Sequence, residues 1–364
     1  GYFGVSLREQ QVQISLDNSG VALVELDLKP FSRTGWFEVY LRDESNSVLC
    51  QSAFGMVDPT LPTSDIQPAS PYGVGRVYEE DLEIARRAGI KAVRHSASFN
   101  VQWGQVEPTQ GRYRDQLLTR MAELPDRLAE FGIQSGIMIG GWSPMNIPSW
   151  AQQPTDRSYY DFEQKQHRPT GNYTLPADVN GWQAYLSRTA KAFSGRLVGW
   201  EIWNENDLPQ FWQGSVEDYL TLLRTGSEAI RAADTQTMIA MCGISTTIVG
   251  QEEHPRWFQQ HRDKVRRELD IDFDPRGFLD RVLRDGKDHF DILNFHPYGT
   301  IEQIERGCRL FRDAAAKHGC ADRPLWITET GVGTHLTGKL RATPQEQARM
   351  YWQIHAVCRA YGAD

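Results

Sequence analysis

From residue 71 to the end of the chain, short apolar runs alternate with longer stretches of helical periodicity, and the pair recurs seven times. That alternation constrains the fold more than any other feature. A strand that returns to its sheet through a helix lies parallel to its predecessor, with the helix laid over a face of the sheet. The strand candidates are residues 72–75, 92–94, 135–140, 197–203, 238–243, 291–296 and 325–329. Between them, Trp182, Tyr185, Leu186, Thr189 and Phe193 fall at i, i+3, i+4, i+7 and i+11, one largely apolar helix face. Ser215-x-x-Asp218 and Thr343-Pro344-x-Glu346 read as capping boxes that open two further helices, the second with proline at its first position.

Seven βα units fit a TIM (β/α)8 barrel short of its eighth unit, or an open doubly wound sheet. Neither GxGxxG nor GxxxxGK[ST] follows any strand, so the usual reason for an open nucleotide-binding sheet is missing, and an α/β barrel over residues 71–364 is expected. After the helix that runs to Tyr361 no eighth strand is read, and the eighth unit is expected to be missing from the chain. Upstream, Val12-Gln13-Ile14-Ser15-Leu16, Ala22-Leu23-Val24-Glu25-Leu26 and Trp36-Phe37-Glu38-Val39-Tyr40-Leu41 alternate apolar with polar residues. Residues 1–57 therefore read as a small antiparallel, β-sandwich-like accessory domain, with too few strands to be complete. Pro59, Pro62, Pro68 and Pro71 mark a linker over residues 58–70.

Composition narrows the function classes. A length of 364 residues suits one large barrel with a small appendage, and 40% hydrophobic residues supply a sizeable core. The 39 Lys and Arg against 47 Asp and Glu give a net charge of −8 with no basic stripe, which argues against nucleic acid as a partner. No apolar run is long enough to span a membrane. The nine histidines form no HxH or HExxH cluster, which disfavours a metal-dependent hydrolase barrel. Five cysteines, Cys50, Cys242, Cys308, Cys320 and Cys358, show no CxxC pair. Were Cys308 and Cys320 on one helix, about 18 Å would separate them, beyond disulfide reach.

In a TIM barrel the chemistry sits at the carboxyl ends of the strands. The fourth strand ends Trp200-Glu201-Ile202-Trp203-Asn204-Glu205-Asn206, and the seventh ends Trp326-Ile327-Thr328-Glu329. A single glutamate at a strand end commonly caps a loop or pairs with arginine. Two of them, on strands that face each other across an eight-stranded barrel, can approach one glycosidic bond as a general acid and a nucleophile. Glu201, two residues before Trp203, is expected on that residue's side of the strand, opposite Asn204, in a structural role.

Trp203-Asn204-Glu205 followed much later by Trp326-Ile327-Thr328-Glu329 resembles the acid/base and nucleophile strands of clan A retaining glycoside hydrolases. Ala92-Val93-Arg94 before Trp103-Gly104-Gln105-Val106-Glu107-Pro108 resembles their second strand and its loop, and Asn294-Phe295-His296-Pro297-Tyr298 resembles the sixth. Within the clan the chain is most similar to glycoside hydrolase family 39 and its relatives. The resemblance implies Glu205 as general acid/base, Glu329 as nucleophile and Asn204 as a hydrogen-bond partner of the sugar 2-hydroxyl. Arg94 is expected to hold Glu329 ionised, or to form a buried structural ion pair, which is the same contact. His296 and Tyr298 are candidates to bond the nucleophile or sugar hydroxyls. Trp142 is expected to stack on a sugar face, whereas Trp103 reads equally as a stacking ring or as barrel packing. His95 falls where some family members carry a sugar-binding histidine, although His95-Ser96-Ala97-Ser98 differs from their motif.

The insertions 143–178 and 244–274 are long for βα loops and are expected to wall the cleft. The resulting expectation is a retaining β-glycosidase acting on an oligo- or polysaccharide, with a secreted, periplasmic or cell-surface location inferred from that substrate. Such an enzyme needs neither a metal nor an organic cofactor. An inverting carbohydrate-active barrel would set Glu205 and Glu329 farther apart. A non-catalytic carbohydrate-binding barrel gives no reason for two opposed glutamates.

Overall fold

The computed structural model describes residues 35–56, 73–75, 77–95, 101–140, 146–155, 158–161, 166–169, 171–333 and 342–363. The chain divides into two compact units, Gly1–Gln67 and Pro68–Asp364. In the first, β1 (Gly35–Arg42) and β2 (Val48–Met56) form an antiparallel hairpin, with Gly35 opposite Met56 and a register shift between Leu41 and Arg42. The alternating runs at 12–16 and 22–26 and the linker 58–70 lie outside the described residues.

The second unit is an α/β fold with a parallel sheet. Its elements run β3 (Gly73–Val74), α1 (Leu82–Arg87), β4 (Ala92–His95), α2 (Trp103–Val106), α3 (Asp115–Glu130), β5 (Gln134–Ile139), β6 (Ser158–Asp161), β7 (Gln166–Pro169), α4 (Val179–Phe193) and β8 (Gly199–Ile202). They continue through α5 (Val216–Ala233), β9 (Met238–Ala240), β10 (Ile244–Ser245), α6 (Thr247–Glu253), α7 (Pro255–Leu269), α8 (Pro275–Asp285), β11 (Leu293–His296), α9 (Ile301–Lys317), β12 (Leu325–Trp326) and α10 (Pro344–Ala360). Strands β3, β4, β5, β8 and β9 neighbour one another in that order, and β10, β11 and β12 in theirs, every pair parallel. A parallel bridge from Ala240 to Ile292 joins the two series. Ala363 makes a further parallel bridge to Leu325, on the edge of β12 away from β11, where an eighth strand of a barrel would lie.

All seven strand candidates contain a strand, because each is a short apolar run bounded by turn residues. The anticipated face of α4 is buried throughout, from Trp182 to Phe193. The capping boxes at Ser215 and Thr343 are present, with a third at Thr300 and Gln303. Residues 244–274 differ from expectation: Ile244 and Ser245 belong to the sheet, and the greater part of residues 246–274 is helical in α6 and α7. Part of the 143–178 insertion is the antiparallel hairpin β6–β7.

Trp103 is a core residue. Fully buried, it stacks on Tyr185 at 5.8 Å between centroids, packs edge-on to Trp150 and donates its indole N–H to Glu107. Cys242, Cys308, Cys320 and Cys358 are free thiols, and the hydrogen-bond partner of Cys308 is Cys358, on the next helix. Among the described residues, no helix is long and apolar enough to cross a membrane.

Candidate active site

The site is assembled at the carboxyl ends of β4, β8, β11 and β12. Alternation along β8 sends Trp200 and Ile202 toward the helices, where Trp200 packs edge-on to Phe193, and sends Glu201 inward. Trp203 then breaks the period. Its backbone is left-handed, with φ of 71°, and its ring stays in the helix layer against Trp182 and Trp212. Gly140 admits that ring, because a Cβ there would lie 2.2 Å from it. Asn204 and Glu205 consequently turn inward on the side of Glu201. This overturns the expectation that Glu201 lies with Trp203 and opposite Asn204: both Glu201 and Asn204 meet Arg94.

Arg94, on β4, is the hub. Its Nε and Nη2 donate to the two carboxylate oxygens of Glu201, both at 2.7 Å, Nη2 also reaches Asn204 Oδ1 at 2.7 Å, and Nη1 donates to Glu329 Oε2 at 2.9 Å. Burial opposes the guanidinium charge, and the carboxylates of Glu201, Glu329 and Glu205 more than restore it. Glu329 receives a second hydrogen bond from the Tyr298 hydroxyl at 2.7 Å. Burial pushes the Glu329 carboxyl up, but attraction to His296 and Arg94, with the bonds from Tyr298 and Arg94, holds it below the ordinary value. Desolvation and the Glu329 charge in turn raise Tyr298.

Glu205 is also buried and strained, with φ of 44°, and its Oε1 lies 3.0 Å from His296 Nδ1. The other ring nitrogen of His296 lies 2.9 Å from Thr328 Oγ1. Thr328 in turn donates to Asn294 Oδ1 at 2.8 Å. Carboxylate oxygens of Glu205 and Glu329 and a ring nitrogen of His296 all lie within 4.8 Å of one another. That grouping has the chemistry of a metal site, yet both nitrogens of His296 are already bonded, so the arrangement suits proton handling better.

Of the residues singled out in the sequence, Arg94, Asn204, Glu205, His296, Tyr298 and Glu329 are brought together. His95 lies on β4, but its side chain and the whole of Trp142 are outside the described residues. Sequence reasoning misses Asp207, Ser245, Thr246 and Thr247. Asp207, buried two residues beyond Glu205, accepts from Ser245 N at 3.1 Å, Ser245 Oγ at 2.6 Å and Thr247 Oγ1 at 2.8 Å. Burial, and next the Glu205 charge, push Asp207 up to about 6. Thr246 donates to the His296 carbonyl at 3.0 Å and accepts from Tyr298 N at 2.6 Å. A run of three hydroxyl residues that begins at the end of a strand is the signal that could have found this cluster.

The fold is shared with glycoside hydrolases, and the structural neighbours include several members of clan A. The chain is similar to a family 39 glycoside hydrolase from the gut symbiont Bacteroides cellulosilyticus WH2, with a TM-score of 0.54 and 17% identity over 91% of this chain and 62% of that one. It is also similar to the exo-beta-1,4-mannosidase Op5Man5 from Opitutaceae bacterium strain TAV5, with a TM-score of 0.50 and 17% identity over 89% of this chain and 52% of that one. The chain therefore spans less than two thirds of the length of either structure. No protein-family model matches it, and no curated protein matches its sequence.

Proposed function

We propose that the chain is a retaining glycoside hydrolase that cleaves β-glycosidic bonds of oligo- or polysaccharides by double displacement. The observation that carries the reading is the approach of the Glu205 and Glu329 oxygens to within 4.8 Å. Oxygens that close fit the tight carboxyl pairing of retaining enzymes, whose two groups stand about 5–5.5 Å apart. Glu329, kept anionic by Arg94 and Tyr298, attacks the anomeric carbon while Glu205 gives its proton to the departing oxygen, so the C–O bond breaks as the ester to Glu329 forms. Glu205, now ionised, takes a proton from water as that water's oxygen attacks the anomeric carbon and releases Glu329.

Asn204 supports the reading. Its Oδ1 is fixed by Arg94, and its buried Nδ2 is unpartnered among the described residues, leaving a donor for the sugar 2-hydroxyl. His95 and Trp142 are proposed as further sugar contacts. The proposal extends to residues 1–57 as an accessory β unit, to residues 71–364 as a (β/α)8-type catalytic barrel, and to a secreted, periplasmic or surface location.

The test uses two variants and two leaving groups. Glu329→Gln removes the nucleophile and should abolish glycosyl-enzyme formation on every substrate. Glu205→Gln removes only the proton donor, so dinitrophenyl glycosides should still form the intermediate, and azide should restore turnover with a glycosyl azide of retained configuration. Equal loss on both substrate types in Glu205→Gln, without azide rescue, would overturn the assignment. Sugar binding by a wild-type protein that turns over no glycoside would favour a carbohydrate-binding barrel.

A further inference from the structure

We infer that Thr328 and Asn294 are positioning residues that fix His296 in its Nε2–H form, so that His296 Nδ1 and the Glu205 carboxyl share a single proton. The inference rests on the glycosidase reading and deepens it at the acid/base.

The hydrogens can be counted outward from a backbone carbonyl. Asn294 Nδ2 donates to the Met241 carbonyl at 3.3 Å, which turns Oδ1 of the same amide toward Thr328. Thr328 has one hydroxyl hydrogen, and it goes to that Oδ1 at 2.8 Å. Toward His296 Nε2, at 2.9 Å, Thr328 Oγ1 can then only accept, so the ring must bring the hydrogen. Glu201 Oε1, 3.9 Å from the same nitrogen, adds a negative charge that favours N–H there.

With Nε2 protonated, Nδ1 of a neutral ring is a bare lone pair, and it faces Glu205 Oε1 at 3.0 Å. Two acceptors do not approach that closely, so one proton lies between them. It sits on Glu205 beside a neutral ring, or on an imidazolium beside ionised Glu205. Either way it is buried beside Glu329 and ready for a departing oxygen. A neutral ring with its hydrogen on Nδ1 would instead bond ionised Glu205 and have nothing to give short of becoming an imidazolate.

The charged and titratable groups facing the pair are Arg94 from β4, Glu201 from β8, Asp207 beyond it, Tyr298 beyond β11 and Glu329 beyond β12.

Nitrogen-15 NMR of histidine-labelled protein, with His296 assigned by its loss in His296→Gln, reads the tautomer without reference to catalysis. The expected wild-type spectrum has hydrogen on Nε2. In Asn294→Ala the Thr328 hydroxyl is released to donate to Nε2, and the ring should move its hydrogen to Nδ1. The same variant should lose about 100-fold in kcat on glycosides with poor leaving groups, the lower end of what general acid catalysis contributes, while dinitrophenyl glycosides are nearly unaffected. Should Asn294→Ala not fold, Thr328→Val, with Thr328→Ser as the conservative rescue, supplies the same comparison. A wild-type ring with hydrogen on Nδ1, or a loss equal for both leaving groups, overturns the inference. An Nε2–H ring in a protein that turns over no glycoside would sink the glycosidase reading and leave the tautomer assignment standing.

Discussion

Arg94 grips Glu201 through two parallel hydrogen bonds of 2.7 Å each, in a setting where both side chains are almost wholly buried. Removing one partner of such a pair strands the other charge in the interior. Arg94→Met is therefore expected to cost about 3–5 kcal/mol in denaturant unfolding. The double variant Arg94→Met, Glu201→Met should recover a large part of that loss, since no unpaired Glu201 remains. Neither variant should be active, because Glu329 has lost its cation. A double variant no more stable than Arg94→Met would show that the pair is not the source of the loss.

Tyr298→Phe removes one hydrogen bond from Glu329 and leaves Arg94 in place. Glu329 is held below its ordinary pKa, and the lost bond lets it rise. The acid limb of kcat/KM should move to higher pH, with kcat lower by about tenfold, the worth of a hydrogen bond to a charged group. An acid limb that stays in place in a pH–rate profile would separate Tyr298 from the ionisation of Glu329.

Asp207 makes a prediction about stability. Its folded pKa of about 6 lies above that of an unfolded aspartate, so the native state binds the proton more tightly. Its contribution favours folding at low pH and is lost as pH rises from about 4 to about 6, on the order of 3 kcal/mol at 1.36 kcal/mol per unit. Asp207→Asn has nothing to titrate. In urea unfolding at pH 4, 5, 6 and 7, its stability relative to wild type should improve across that window and level off above it. Parallel curves would rule the linkage out.

Gly243 touches the site through empty space. A Cβ there would stand 1.9 Å from His296 Nε2, so Gly243→Ala must displace the ring from Thr328 and Glu205. A misplacement of about 1 Å costs on the order of 100-fold in rate. The variant should show that loss in kcat on substrates with poor leaving groups, and full activity would mean that the ring tolerates a shift.

Strands and helices write their periods into a sequence, and those periods are what can be read from this one. The seven strand runs, the buried face of α4 and the two glutamates at strand ends all depend on spacing. Glu201 is misplaced when strict alternation is carried through Trp203, whose positive φ no pattern announces. A cue is present: a lone carboxylate between Trp200 and Ile202, in a strand covered on its outer face, needs a buried cation, and Arg94 is a candidate for it. Trp103 cannot be told from a stacking ring, since an indole in the core and one in a cleft have the same neighbours in sequence. The bonds from Asn294 through Thr328 to His296 join strands 32 to 34 residues apart, and their direction depends on which atom holds each hydrogen.

Residues 245–247 tie both halves of the site to one piece of chain. Ser245 and Thr247 carry Asp207 and so the turn that presents Glu205, while Thr246 carries the backbone of His296 and Tyr298, the partners of Glu205 and Glu329. One three-residue segment thus underlies the neighbours of the acid/base and of the nucleophile alike, so that a substitution there would be felt at Glu205 and, through Tyr298, at Glu329 together.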